Sequence, residues 1–369
     1  MELYIYDQAM ALLDVVDEIK SLVWTRRYWD CGEFSLLVPM TERHSALFVP
    51  GRIIARRDCD EAGQVRYINV ARDANGLEQM EVKGLFLTHW LGTRLLSERL
   101  MMAAPTQAIL ERVVRENLVS PSDPDRAIPR LSIAPSGVQA DTVTCSAEAL
   151  ESVLELCSDR AKLAKLGFRI ITDLQSGTHA FQVYKGLDRT ADQAANPPCI
   201  FSPDFDNVLS QEYTHSVDNV ASVVYVSGEA AEGEPALVAV VRQNNASGLN
   251  RVEYHDTSGG ISRAYMAEGT EQRLTDAEYL ALLAARGRQV LDGKTAYLNF
   301  TSFIDTHGHL KYREDYDLGD RVTCINRRWG IRIDVRITEV VESYEKGKAD
   351  LEITFGESLP TLSAAMKWR

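Results

Sequence analysis

Few side chains in this chain stand at spacings that could do chemistry. His307-Gly308-His309, preceded by Asp305, is the first set. Imidazoles two residues apart in a strand share a face and could share a metal. A site needs more ligands, and no third histidine or cysteine has matching local spacing. The triplet therefore reads as a turn, and no metal is assigned. Asp315, Asp317 and Asp320 could serve glycosidase chemistry, which requires two carboxylates at a set separation. In a chain with 53 acidic residues they read instead as a solvated acidic turn. Ser258, in Thr257-Ser258-Gly259-Gly260, lacks the strand-to-helix elbow of a serine hydrolase. Neither G-x-x-x-x-G-K-[ST] nor H-E-x-x-H occurs, so the phosphate loop and the zinc-protease helix are absent. The expectation is no catalytic, cofactor-binding or metal-binding residue, no cofactor, and no enzyme.

Composition narrows the classes further. The 369 residues are 45% hydrophobic and 25% charged, an ordinary globular balance with length for two or more domains. Net charge is −13, which disfavours binding to phosphates. The one basic cluster, Arg327-Arg328 with Arg332 and Arg336, fits a solvated strand face. Six scattered cysteines without a CxxC read as free thiols in a reducing compartment. No window reaches eighteen apolar residues, so no membrane span is expected. The opening MELYIYDQAM lacks the features of a signal peptide, which implies manufacture in a cytoplasm. Met101-Met102 and Tyr28-Trp29 read as packing or subunit contact.

The elements that would position these residues are mostly strands. Residues 1–102 carry β-branched and aromatic runs separated by short turns, among them Asp73-Ala74-Asn75-Gly76, whose Asn-Gly is a strong hairpin signal. Residues 103–198 read as a small α/β insert. It holds a helix over Thr106–Leu118 and a longer one over Ala147–Leu166, the latter capped by Ser146 and closed by Gly167. Residues 199–369 return to strands. One helix, about 275–291, opens on the capping box Thr275-Asp276-Ala277-Glu278. Ile331, Ile333, Val335 and Ile337 alternate with Arg332, Asp334, Arg336 and Thr338, a strand with one buried and one wet face.

The two ends resemble a known family. Trp24, Arg26, Tyr28, Gly32, Glu33, Phe34 and Leu36 are similar to an element that opens the first barrel of siphophage-type tail-tip (baseplate) hub proteins, including the N-terminal hub part of tail-associated lysins. Arg52-Ile53-Ile54, Glu61-Ala62-Gly63 and Gly84-Leu85 continue the likeness. So do Tyr316–Val322, Arg336–Val340, Thr354–Glu357 and Pro360-Thr361-Leu362 near the other end. The resemblance implies a mainly β fold with an α+β insert: two tail-tube-like β-barrels plus a small α/β domain. It implies a homotrimeric ring in the virion tail, assembled in the host cytoplasm. Its partners would be the tail tube or distal tail protein, the tape measure protein and a spike or fibre. An acidic lumen would pass DNA without binding it. Because the sequence stops at Met366-Lys367-Trp368-Arg369, a lytic module is expected on another polypeptide. A tail-associated peptidoglycan hydrolase or peptidase using His307 and His309, and a host-receptor-binding tail protein, are the alternatives.

Overall fold

Alternating apolar residues begin at once and pair at once. The computed structural model describes residues 1–356 apart from 73–75, 231–234, 244, 258–260, 268–269, 307 and 346, with 144, 265–267 and 270–271 described by backbone alone. The first region supplies strands β1 (Leu3–Tyr6), β2 (Leu12–Val16), β3 (Ser21–Arg27) and β4 (Glu33–Pro39). Helix α1 (Glu42–Leu47) leads to β5 (Ile53–Ala55), β6 (Gly63–Arg72) and β7 (Glu78–Phe86). Trp24, Phe34 and Phe86 form the centre of their core, with Trp24 and Phe86 rings 4.7 Å apart. Burial of each phenylalanine contributes about 1.5–3 kcal/mol. The Asn75-Gly76 turn falls mostly outside the described residues, but β6 and β7 pair up to Arg72 opposite Glu78.

The insert follows. It comprises β8 (Leu100–Pro105), α2 (Thr106–Val114), β9 (Leu131–Ile133), β10 (Thr142–Ala147), α3 (Val153–Ala164), β11 (Gly167–Asp173) and β12 (Thr178–Tyr184). Here the structure departs from the expected 147–166 helix. Residues 142–147 are held as a strand against β8, and Leu150 turns with φ +70°. Ser152, not Ser146, caps α3, and Lys165 closes it in the left-handed conformation. Gly167 is already in a strand, where a Cβ would lie 2.3 Å from the Tyr28 ring.

The last region begins with the short strands β13 (Asp188–Arg189) and β14 (Ile200–Phe201), then β15 (Val208–Ser216). Between β15 and a later partner sits a lobe with its own core. It is built from β16 (Val223–Ser227), β17 (Val238–Arg242), β18 (Glu253–Asp256), β19 (Ala264–Ala267), β20 (Thr270–Arg273) and α4 (Asp276–Gly293). The expected capping box is present: the Glu278 carboxylate accepts from the Thr275 amide at 2.9 Å. Strands β21 (Tyr297–Ile304), β22 (Arg321–Asn326), β23 (Ile331–Glu345) and β24 (Lys348–Gly356) complete the chain's described part.

One sheet joins the beginning and the end. Its path runs β15-β21-β24-β23-β3-β4-β7-β6-β5-β1-β2, with β22 joined to β23, β13 and β14. β3 pairs antiparallel with β23, Glu339 opposite Arg27. The mainly β class with an inserted α+β part stands. The described residues contain no closed barrel, however. β3 lies between β23 and β4, and the path stays open from β15 to β2.

Candidate functional site

The sequence-derived chemical candidates do not converge. His307 and the Ser258-Gly259-Gly260 loop lie outside the described residues, while His309 is exposed. Asp315 accepts from the Lys311 amide at 2.8 Å, and so braces a turn. Asp320 is buried and accepts from the Leu187 amide at 2.7 Å and Arg189 Nε at 2.9 Å. Burial raises its pKa above the ordinary aspartate value. The Asp317 amide donates to the Asp320 carboxylate at 3.1 Å, while the Asp317 carboxylate accepts from Arg26. Among the described residues no group of three or more His, Cys, Asp or Glu is placed to hold a metal. The basic cluster also disperses: Arg327 faces Asp204 at 3.3 Å, Arg332 meets Asp192 at 2.7 Å, and Arg336 lies over the Tyr28 ring. Five of the six cysteines are buried, and burial pushes the thiols of Cys31 and Cys199 up to about 12, far from a reactive thiolate.

A cavity of about 490 Å³ lies between α3 and α4, lined among others by Glu151, Glu155, Asp159, Arg160 and Arg286. Its arginines are engaged: Arg286 Nε donates to Asp256 at 3.0 Å and Arg160 donates to the Ser146 carbonyl at 3.2 Å.

What the structure does concentrate is charge along the join between first and last regions. Arg26, 4% exposed, donates to Glu61 at 2.6 Å, to the Tyr312 hydroxyl at 2.6 Å and to Asp317 at 2.8 Å. Arg56 donates to Asp58 at 2.9 Å, Glu342 at 2.9 Å and the Tyr344 hydroxyl at 2.9 Å. Its guanidinium also lies between the rings of Trp24 and Tyr344. Arg313 closes the seam by donating to Glu342 at 2.6 Å. Buried charges so paired hold register where a slip would leave one unpaired. This seam was invisible in the sequence, because Arg26 and Asp317 are 291 positions apart.

A second junction centres on Tyr28, which is fully buried. Its ring lies against Gly167 of the insert and Gly319 of the last region, where φ is +93°. Its hydroxyl donates to the carbonyl of Lys165 at 3.2 Å. The expected packing role of Tyr28 is therefore what the geometry gives it.

The insert also holds a buried neutral histidine. His179 is 3% exposed, with Nδ1 3.1 Å from the Thr172 hydroxyl and its ring edge-on to Trp90 at 5.0 Å. Burial, with Arg130 nearby, pulls its pKa down to about 4. The unfolded chain takes up that proton near pH 6.5, and the folded chain only near pH 4. Stability from this site is thus complete above pH 6.5 and falls as pH drops towards 4, by about 3 kcal/mol in all. Urea midpoints should fall over that window, and His179→Gln should flatten the fall. An equally steep fall in the variant would overturn the assignment.

Finally, the main sheet leaves edges uncovered among the described residues. β2 and β15 each have one strand neighbour at an end of the path. β6 is longer than its neighbour β5, which reaches only Gly63 and Gln64, so Tyr67–Arg72 pair on one side alone. Large apolar side chains stand exposed on these edges: Leu12, Tyr67, Val70 and Leu209. Unpaired edges of this length are templates for another strand.

Comparisons with known proteins accord with this architecture. The described fold is similar to a tail protein from Neisseria meningitidis MC58, with a TM-score of 0.58, 13% identity and 96% of each chain covered. It is similar to the 43 kDa tail protein of prophage MuSo2 from Shewanella oneidensis, with a TM-score of 0.56, 14% identity, and 96% of this chain and 98% of that one covered. It is also similar to the prophage tail protein gp18 from Listeria monocytogenes EGD-e, with a TM-score of 0.54, 11% identity, and 100% and 98% covered. No curated protein matches the chain. The family model described as Siphovirus ReqiPepy6 Gp37-like protein matches residues 2–357, nearly the whole sequence, and the chain therefore belongs to that family of phage tail proteins.

Proposed function

We propose that this tail protein is the hub at the tail tip: a trimeric ring that joins the tail tube to a spike or fibre. The observation that carries the reading is the single sheet uniting both ends of the chain with its edges left open, in a member of a tail protein family. Three chains offering unlike edges can close by head-to-tail contact. The net charge of −13 suits a lumen through which DNA slides, since it offers phosphates no counter-charge. The role is structural and involves no turnover. The tail tube or distal tail protein, the tape measure protein and the spike are its partners, and it resides in the virion tail after assembly in the host cytoplasm. Nothing described favours the hydrolase or the receptor-binding alternative.

Immunogold labelling of intact particles tests the location. Gold should sit at the tail end distal to the capsid. Labelling along the whole tube, or on side fibres, would sink the hub reading.

A further inference from the structure

The uncovered edges differ in charge. Within Arg66–Arg72 of β6 the only charged residues are two arginines, both exposed, in a chain that is acidic overall. The acids Glu78 and Glu81 lie on β7, one strand inward, and Asp73 falls outside the described residues. β15 carries one charge, the exposed Glu212, and is flanked by exposed Asp206 and Asp218. β2 is acidic as well, with Asp14 followed by Asp17 and Glu18. Its Asp14 is already bound by Arg43 at 2.8 Å.

We propose that the outer half of β6 of one copy adds as a strand onto β15 of the next copy, and that this strand addition is the ring contact. The inference rests on the ring reading above and names its interface. Main-chain hydrogen bonds along a shared edge supply affinity, and side chains supply the choice of partner. Charge makes that choice here. β15 against β15, or β15 against β2, sets acid against acid. β6 against β6 sets arginine against arginine. β6 against β15 and β6 against β2 bring unlike charges together. Of these two, β15 presents an exposed strand carboxylate, Glu212, where the Asp14 of β2 is already taken by Arg43. Because the two edges belong to different parts of the chain, the contact is head-to-tail, the kind that generates rings. Exposed Tyr67 and Val70 on one strand and Leu209 on the other provide apolar surface to bury.

Charge reversal on the full chain tests this. Masses are measured by analytical ultracentrifugation over a concentration series, with thermal melting as the control for folding. The wild-type chain should assemble. R66E/R72E and E212R should each raise the half-assembly concentration by about tenfold or more. R66E/R72E/E212R should restore the wild-type value, because the signs are exchanged rather than lost. If a reversal lowers the melting temperature, R66Q/R72Q and E212Q take its place, with smaller losses expected. A ring that ignores both reversals overturns the edge contact and leaves the hub reading standing. So does a folded triple variant that stays monomeric. A wild-type chain that is monomeric at every concentration also overturns this contact, while tip labelling decides the hub reading separately.

Discussion

Arg26→Ala should lower the free energy of unfolding by about 3–5 kcal/mol, the cost of leaving a buried charge without its partner. Glu61 is the residue left behind. Its side chain is 3% exposed, and its carboxylate sits 2.6 Å from the guanidinium. Asp317 also meets Arg26, at 2.8 Å, but its side chain is 45% exposed. Water can take up that charge, so Asp317→Asn should cost less than about 1 kcal/mol. The double variant Arg26→Ala/Glu61→Ala should lose less than the two single changes together, since no uncompensated charge remains. Urea denaturation followed by tryptophan fluorescence measures all four. An Arg26→Ala loss no larger than that of Asp317→Asn would show that the seam is not a buried pair.

Gly319→Ala is expected to be almost as damaging, with a loss of about 2–5 kcal/mol, the sum of a backbone cost and a packing cost. Its φ of +93° already disfavours a side chain, and a Cβ would lie 2.4 Å from the Tyr28 ring. Left-handed backbone costs roughly 1–2 kcal/mol for a residue with a Cβ. Overpacking a filled site adds roughly 1–3 kcal/mol. Gly330 provides the comparison: its φ is +67°, and a Cβ there would meet nothing within 4 Å. Gly330→Ala should therefore show the backbone cost alone. Thermal melts of the two variants side by side check the difference, and equal shifts would contradict the crowding at Tyr28.

Much of the strand content was legible because burial alternates along the chain. Ile331, Ile333 and Val335 mark such a strand by being less exposed than Arg332 and Asp334, and the structure extends it to Glu345. Of the four apolar residues, however, only Ile337 is fully buried, and Thr338 on the opposite face is buried too. Thr275 and Glu278 announced α4 because a capping box is local. The 147–166 helix was misplaced for a physical reason. Leu150, Val153, Leu154 and Cys157 keep helical spacing across a boundary that is set by pairing of residues 142–147 with β8. Long-range pairing overrode a local pattern. β15 gave little signal, since a free edge exposes Leu209, Ser210 and Glu212 together and blurs the alternation. The hub resemblance came from packing and turn residues at the two ends. It could not reveal that those ends share a sheet.

That shared sheet sets a timetable for synthesis. Arg27 of β3 contacts Glu339 of β23, 312 positions later. At about 5–20 residues per second, the ribosome needs roughly 15–60 s to deliver the partner. Until then β3 has an open flank while β4 covers its other side, and chains emerging from neighbouring ribosomes offer strands of the same kind. A topology of such distant contacts also folds slowly once complete. The nascent chain is thus most vulnerable to mispairing in the interval before its last strands emerge, and chaperone cover during translation matters most there.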